Sequence, residues 1–263
     1  SYVNSAQWGS LNTAALVSLG TAQWQAMTTD RLQAFGTTQW QAFASDDLQA
    51  LTAVQWQAVE SEDLRGLSIG QWAAVATDDL QALTTSQWSQ MATDDLTAML
   101  ATVQWAAMAT DDLQALSSTQ WQALATDDLR GLGAEQWSAM ATDDLVALTT
   151  SQWSAMATDD LQALTTGQWS QMATDDLAAL LATVQWAAMA TDDLVALTTA
   201  QWSAVASDDL VALTAVQWGD VRAGLSGSQW ASFNTLALVA LNTQHWGAFE
   251  TDDLQALTTA QWS

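Results

Sequence analysis

In 263 residues the chain carries 29 Asp and Glu against four basic residues, all of them Arg (Arg31, Arg65, Arg130 and Arg222), for a formal charge of −25. That field repels phosphate and anionic surfaces, so the basic footprint of a DNA- or RNA-binding protein is missing and nucleic acid is excluded as a partner. With no Cys there is no disulfide, thiolate metal site or cysteine nucleophile. The longest apolar runs are short stretches such as Leu236 to Leu241, far below a membrane span. The first residues do not read as a basic-then-apolar leader, so an export signal, if there is one, is expected outside these 263 residues.

From the first residues onward the sequence counts in sixteens. Trp8, Trp24, Trp40, Trp56, Trp72 and Trp88 are evenly spaced, and the series continues through Trp105, Trp121, Trp137, Trp153 and Trp169, then Trp186, Trp202 and Trp218. A Leu lies midway between successive Trp, as Leu80 does between Trp72 and Trp88. Each unit is therefore two octads of one pattern, Thr-x-Gln-Trp-x-Ala-Met and Thr-Asp-Asp-Leu-x-Ala-Leu, both visible in residues 85–99. A period that runs end to end replaces the usual division into globular domains.

Within an octad a Thr or Ser precedes the Trp or Leu by three, and the next large apolar residue follows by three: Thr85, Trp88, Met91, then Thr93, Leu96, Met99. This predicts a helix cap followed by an apolar stripe on one face of a short helix, with the Asp pair in the first turn where the helix dipole favours it. Ala, Leu, Met and Gln fill the interior, so helix is favoured over strand, and a β-solenoid is the alternative. A helix of under two turns does not persist alone, so stacking must supply the stability. The expected fold is all-α: a two-layer α-solenoid of 16-residue coils, two short helices per coil, with a row of Trp helices facing a row of Leu helices, about 130 to 160 Å long at roughly 8 to 10 Å per coil.

The departures from the period come next along the chain. The intervals Trp88 to Trp105 and Trp169 to Trp186 are seventeen, with Leu100 and Leu181 as the extra residues, which predicts a recurring correction of superhelical phase. The interval Trp218 to Trp230 is twelve and contains Gly219, Gly224 and Gly227. This predicts a seam at about 218–229 where the stack bends. After it, Gln229, Trp230, Asn234 and Thr235 restate the opening Gln7, Trp8, Asn12 and Thr13 at an offset of 222. Residues 1–225 accordingly read as one repeat block and 226–263 as the start of a second, a window on a longer array.

The candidate functional residues are all repeated ones. Trp72, Trp88, Trp105, Trp121, Trp137, Trp153, Trp169, Trp186 and Trp202 are expected to form a structural core ladder rather than a sugar-stacking track. The pairs Asp78-Asp79, Asp94-Asp95, Asp111-Asp112, Asp127-Asp128 and Asp143-Asp144 are expected to serve as helix caps. Stacked carboxylates of neighbouring coils offer at most weak calcium binding, since no Gly-rich calcium loop accompanies them. Otherwise no cofactor is expected. The Gln before nearly every Trp predicts a ladder of side-chain amides bonding neighbouring coils, and His245, the one His, occupies that same slot before Trp246. A catalytic site needs a singular cluster of acid, base or nucleophile, and the sequence has none, so no enzymatic activity is expected.

Octads of the form Leu-Thr-Thr-x-Gln-(Val, Ile or Trp)-x-Ala-(Leu or Met), clearest in residues 83–91 and 148–156, resemble the long repeat tracts of very large bacterial surface or secreted proteins of the adhesin type. That resemblance implies an extracellular or cell-surface structural or adhesive role. The expected function is thus a filament, sheath or adhesin stalk that associates with itself, head-to-tail or laterally, with polysaccharide or a cell surface as a further partner. The alternative is a surface-binding module that matches ice or polysaccharide through its regular Thr or Trp rows.

Overall fold

A computed structural model of the chain describes residues 5–99, 103–233, 235–247, 249 and 251–262. It divides into two compact units, Ser1–Gln136 and Trp137–Ser263. Both are all-α: among the described residues there is no strand, and one short helix follows another, most of them four to six residues long.

The helix Thr85–Gln90 shows how an octad folds. Thr84 is the N-cap, with extended backbone, and its hydroxyl and N–H both donate to Oε1 of Gln87, at 2.9 and 2.7 Å. Gln87 is the third helical residue, so the two form a reciprocal cap. Met91 ends the helix by returning to extended backbone (φ −62°, ψ 140°), with its N–H still bonded to the Trp88 carbonyl. The next helix, Thr93–Leu96, starts after the extended Ala92. The cap of the Trp helices thus lies one residue earlier than the sequence spacing suggests, and Thr93 is the first helical residue of a Leu helix rather than its cap. No positive φ occurs at any described residue, so each link is two extended residues and needs no Gly.

The stacking corrects the expected coil. In both units the principal contacts join each helix to the third one after it. Ile69–Ala74 packs on Thr93–Leu96, which packs on Ser118–Ala123, and in the second unit Thr142–Ala147 packs on Thr166–Gln171. The solenoid coil is three octads, about 24 residues, not the two octads of the sixteen-residue repeat. Each two-residue link turns the chain by a third of a revolution, and that angle, not the chemical period, decides how many helices close a coil. With an odd number of octads per coil and two kinds of octad, a Trp helix stacks on a Leu helix outside the twelve-residue interval, so there are no separate Trp and Leu layers. Trp24, Trp40, Trp56 and their successors through Trp218 are 0% exposed, and the Met, Phe, Leu or Val three residues on is buried with them.

Both departures from the period are absorbed without breaking this stacking. Before Trp186 the extra residue is taken up in a single π-helical turn, Ala182–Trp186, with Leu181 pushed out to solvent. Gln185 and Trp186 keep the positions of their counterparts. Leu100 lies outside the described residues. At the seam the helix Ala215–Gly224 runs for ten residues, carries Trp218 and Val221 into the core, and stands where a Trp helix, its link and the start of a Leu helix would be. It packs on Thr191–Ala196, and Thr243–Trp246 packs on it in turn, so stacking contacts continue through the seam. Gly224 is needed because a Cβ there would lie 2.7 Å from Val195.

Removing one Trp should therefore unpick a coil. Trp169→Ala is expected to destabilise the second unit by about 3 to 5 kcal/mol, read from denaturant melts.

Candidate functional site

The polar groups that could do anything specific lie between coils, at the third residue of each short helix. In Trp helices that residue is Gln and in Leu helices it is the second Asp. Both are buried: Gln55, Gln71 and Gln87 in one class, Asp63, Asp79 and Asp95 in the other.

Gln satisfies two sets of orphan backbone groups at once. Its Oε1 accepts from the N-cap N–H of its own helix, and its Nε2 donates to two carbonyls at the C-terminal end of the Trp helix four octads earlier. Gln71 reaches the carbonyls of Trp40 and Phe43, both at 2.9 Å, and Gln87 those of Trp56 and Val59, also at 2.9 Å. The rung recurs at Gln168, to Trp137 and Met140, and at Gln201, to Trp169 and Met172. The amide ladder expected from the sequence is thus a backbone-to-side-chain tie between coils. His245 fills the same slot, buried, with its Nδ1 accepting from the Asn242 N–H at 3.3 Å. A second, exposed rung runs the other way. Gln49, Gln81 and Gln162, each just after a Leu, donate to Ala74, Ala107 and Ala188, and Arg65 does the same to Gln90 at 2.6 Å.

Asp can only accept. Its carboxylate takes the N-cap N–H, as between Asp128 and Ala125 at 3.0 Å, and faces the buried indole N–H of the Trp helix one coil earlier. Asp79 is set beside Trp56, Asp95 beside Trp72, Asp112 beside Trp88 and Asp128 beside Trp105. The indole favours the charged carboxylate in each pair, but none of these four indoles makes a well-aligned N–H···O bond. Burial outweighs that help. It pushes Asp79, Asp95 and Asp112 up to about 6 from the ordinary 3.8, with the neighbouring Asp78, Asp94 and Asp111 adding to the rise. Asp193 reaches about 7 for the same two reasons. This Asp–indole pairing spans 23 or 24 residues and was not legible in the sixteen-residue period; the signal for it was the equivalence of Gln and the second Asp within the octad.

The Trp residues read from the sequence as core, Trp72, Trp88, Trp105, Trp121, Trp137, Trp153, Trp169, Trp186 and Trp202, are all 0% exposed. The Asp pairs are split. Asp78, Asp94, Asp111, Asp127 and Asp143 face solvent, while Asp79, Asp95, Asp112, Asp128 and Asp144 are buried. Acidic helices in one stack are separated by a Trp helix, so carboxylates do not line up on successive coils. Among the described residues no three His, Asp or Glu side chains converge as a metal site would require. Surface grooves open where Gly takes the N-cap place of Thr or Ser, at Gly36 and Gly133, the latter flanked by Ala106, Thr110 and Glu135. Among the described residues no helix is long and apolar enough to cross a membrane.

A family model described as the ALTTAQ repeat matches residues 105–142. The tandem repeat is thus of a recognised kind. The literal text occurs at residues 196–201 and 256–261, and it spans the end of a Leu helix, the Thr cap and the Gln rung of the next Trp helix. No curated protein matches the chain.

Two outcomes follow from the rungs. Gln71→Ala removes both donors to the Trp40 and Phe43 carbonyls and should cost about 1 to 3 kcal/mol in chemical denaturation, whereas Gln81→Ala on the exposed rung should cost about 1 kcal/mol or less. The folded chain holds protons on the buried Asp more tightly than the unfolded chain does. Stability should therefore fall as pH rises from about 4 through 6 to 7, and the melting temperature should be several degrees higher at pH 5 than at pH 7.5. A scanning-calorimetry series that shows the opposite slope would show that the folded chain stabilises these carboxylates as anions and that burial does not dominate them.

Proposed function

We propose that this structural repeat protein is a non-enzymatic, load-carrying segment of an elongated array at a bacterial cell surface or outside the cell, as a filament, sheath or adhesin stalk. The observation that carries this reading is the Gln rung. It repeats in every Trp octad from Gln39 to Gln217 for which its hydrogen bonds are described, ties each coil to earlier ones through backbone carbonyls, and is spent wholly on cohesion. A molecule whose described buried Gln and Asp face its own earlier coils is suited to extension. The extracellular setting is supported by the resemblance of the octads to surface-protein repeat tracts, and by the high negative charge, which keeps such an array soluble. Self-association and contact with polysaccharide or a cell surface belong to the same proposal.

Small-angle scattering of the purified chain tests it. The proposal requires coils stacked end to end along the whole chain, and about eleven of them at roughly 9 to 10 Å each would give a rod-like profile with a maximum dimension on the order of 100 Å; a compact particle, or turnover of any substrate at a single saturable site, would overturn the array reading. Antibody labelling of intact producing cells checks the location, which should be accessible from outside.

A further inference from the structure

The duplication inside the chain lets one part of the structure say what belongs on another. Residues 7–24 and 229–246 are identical at eleven of eighteen positions, including both Trp, Asn12 and Asn234, Leu16 and Leu238, and Leu19 and Leu241. The later copy is covered. Gly227–Ser232 packs on Thr199–Ala204, Thr235–Ala240 on Ser207–Ala212, and Thr243–Trp246 on Ala215–Gly224. Gln229 donates to the Leu197 carbonyl at 2.7 Å, Trp230 stacks on Trp218 at 6.4 Å with the rings 20° apart, and Phe233 meets Trp202 edge-on at 5.0 Å. Under that cover Trp230, Phe233, Leu241 and His245 are all buried. Their counterparts in the earlier copy are not: Trp8, Leu11 and Leu19 are half-buried and Gln23 is exposed.

The seam gives this pairing its specificity. Elsewhere a Trp octad follows a Leu octad, but Trp230 follows the Trp218 helix directly, so the coil before it presents Trp where a regular coil would present Leu. Aromatic side chains fill the mismatch, Trp218 against Trp230 at one contact and against Phe249 at another, at 5.5 Å. A regular interior coil would bring the wrong octad to each place.

We infer that Trp8, Leu11, Leu19 and Gln23 form a docking surface for the closing coil of another block of this repeat, a coil of the Thr199–Gly224 sequence with the Leu197 carbonyl at its edge. The inference rests on the array reading and adds to it the identity of the joint: blocks meet through one seam-type coil, not through any coil.

The test uses the full chain with residues 1–6 replaced by a second copy of residues 191–228, so that Gln7 follows Ser228 as Gln229 does. A parallel chain carries residues 114–151 instead, the same length of regular repeat, with Gln7 following Ser151 as Gln152 does. Hydrogen exchange is read at residues 7–24 and 229–246. The seam extension is expected to raise protection of residues 7–24 by about tenfold or more, to the level of residues 229–246, and the regular extension to leave it near the starting value. Unchanged protection with the seam extension overturns the docking surface. Equal protection by both extensions overturns its specificity, while the scattering profile of the unextended chain still judges the array reading by itself.

Discussion

Everything in this molecule depends on what stands at the third position of helices too short to exist alone. A helix of four to six residues leaves nearly all of its backbone N–H and C=O groups without internal partners, and nucleation costs more than one turn returns. Gln resolves both ends with one side chain, because its amide accepts from the N–H groups at the start of its own helix and donates to the carbonyls at the end of an earlier one. Asp at the equivalent position can do only the first. The Leu helices are tied outward by the exposed Gln that follows their Leu, and they carry the carboxylates whose burial raises their pKa. Cohesion is thus strong and pH-independent along one diagonal and pH-dependent along the other.

The second constraint is arithmetic. Three helices close a coil and two kinds of octad alternate, so the two kinds form a checkerboard. Away from the seam Trp lies over Leu, which pairs a large side chain with a smaller one and lets a single sequence pattern fill the core. The same alternation keeps the acidic helices from stacking on each other, which spreads a charge of −25 over the surface instead of concentrating it in columns. When the twelve-residue interval removes half of one octad the checkerboard inverts. The aromatic cluster of Trp202, Trp218, Trp230, Phe233 and Phe249 is the packing solution to that inversion.

On the proposed array reading, function is a property of the contact between copies. Among the described residues the buried Gln and Asp face other parts of the same solenoid. That arrangement fits the proposed array and makes the joints between blocks, rather than any single residue, the places where specificity can reside.

The sequence by itself determined the helical class and the burial face, because each depends on residues within one octad, and the recurrence of Gln before Trp marked the ladder of amides. Thr84, Gln87, Trp88 and Met91 form their cap and core within eight positions, so local chemistry suffices for these. It also exposed the duplication that relates Trp8 to Trp230. Only the tertiary structure decided that three octads close a coil, that Asp95 meets the indole of Trp72, and that the seam continues the stack. Those features depend on the angle between successive helices. That angle is set by the extended links, such as Met91 and Ala92, and by packing between residues one coil apart. A sixteen-residue pattern carries no record of it, because a chain that coils in twos and a chain that coils in threes can share the same octad.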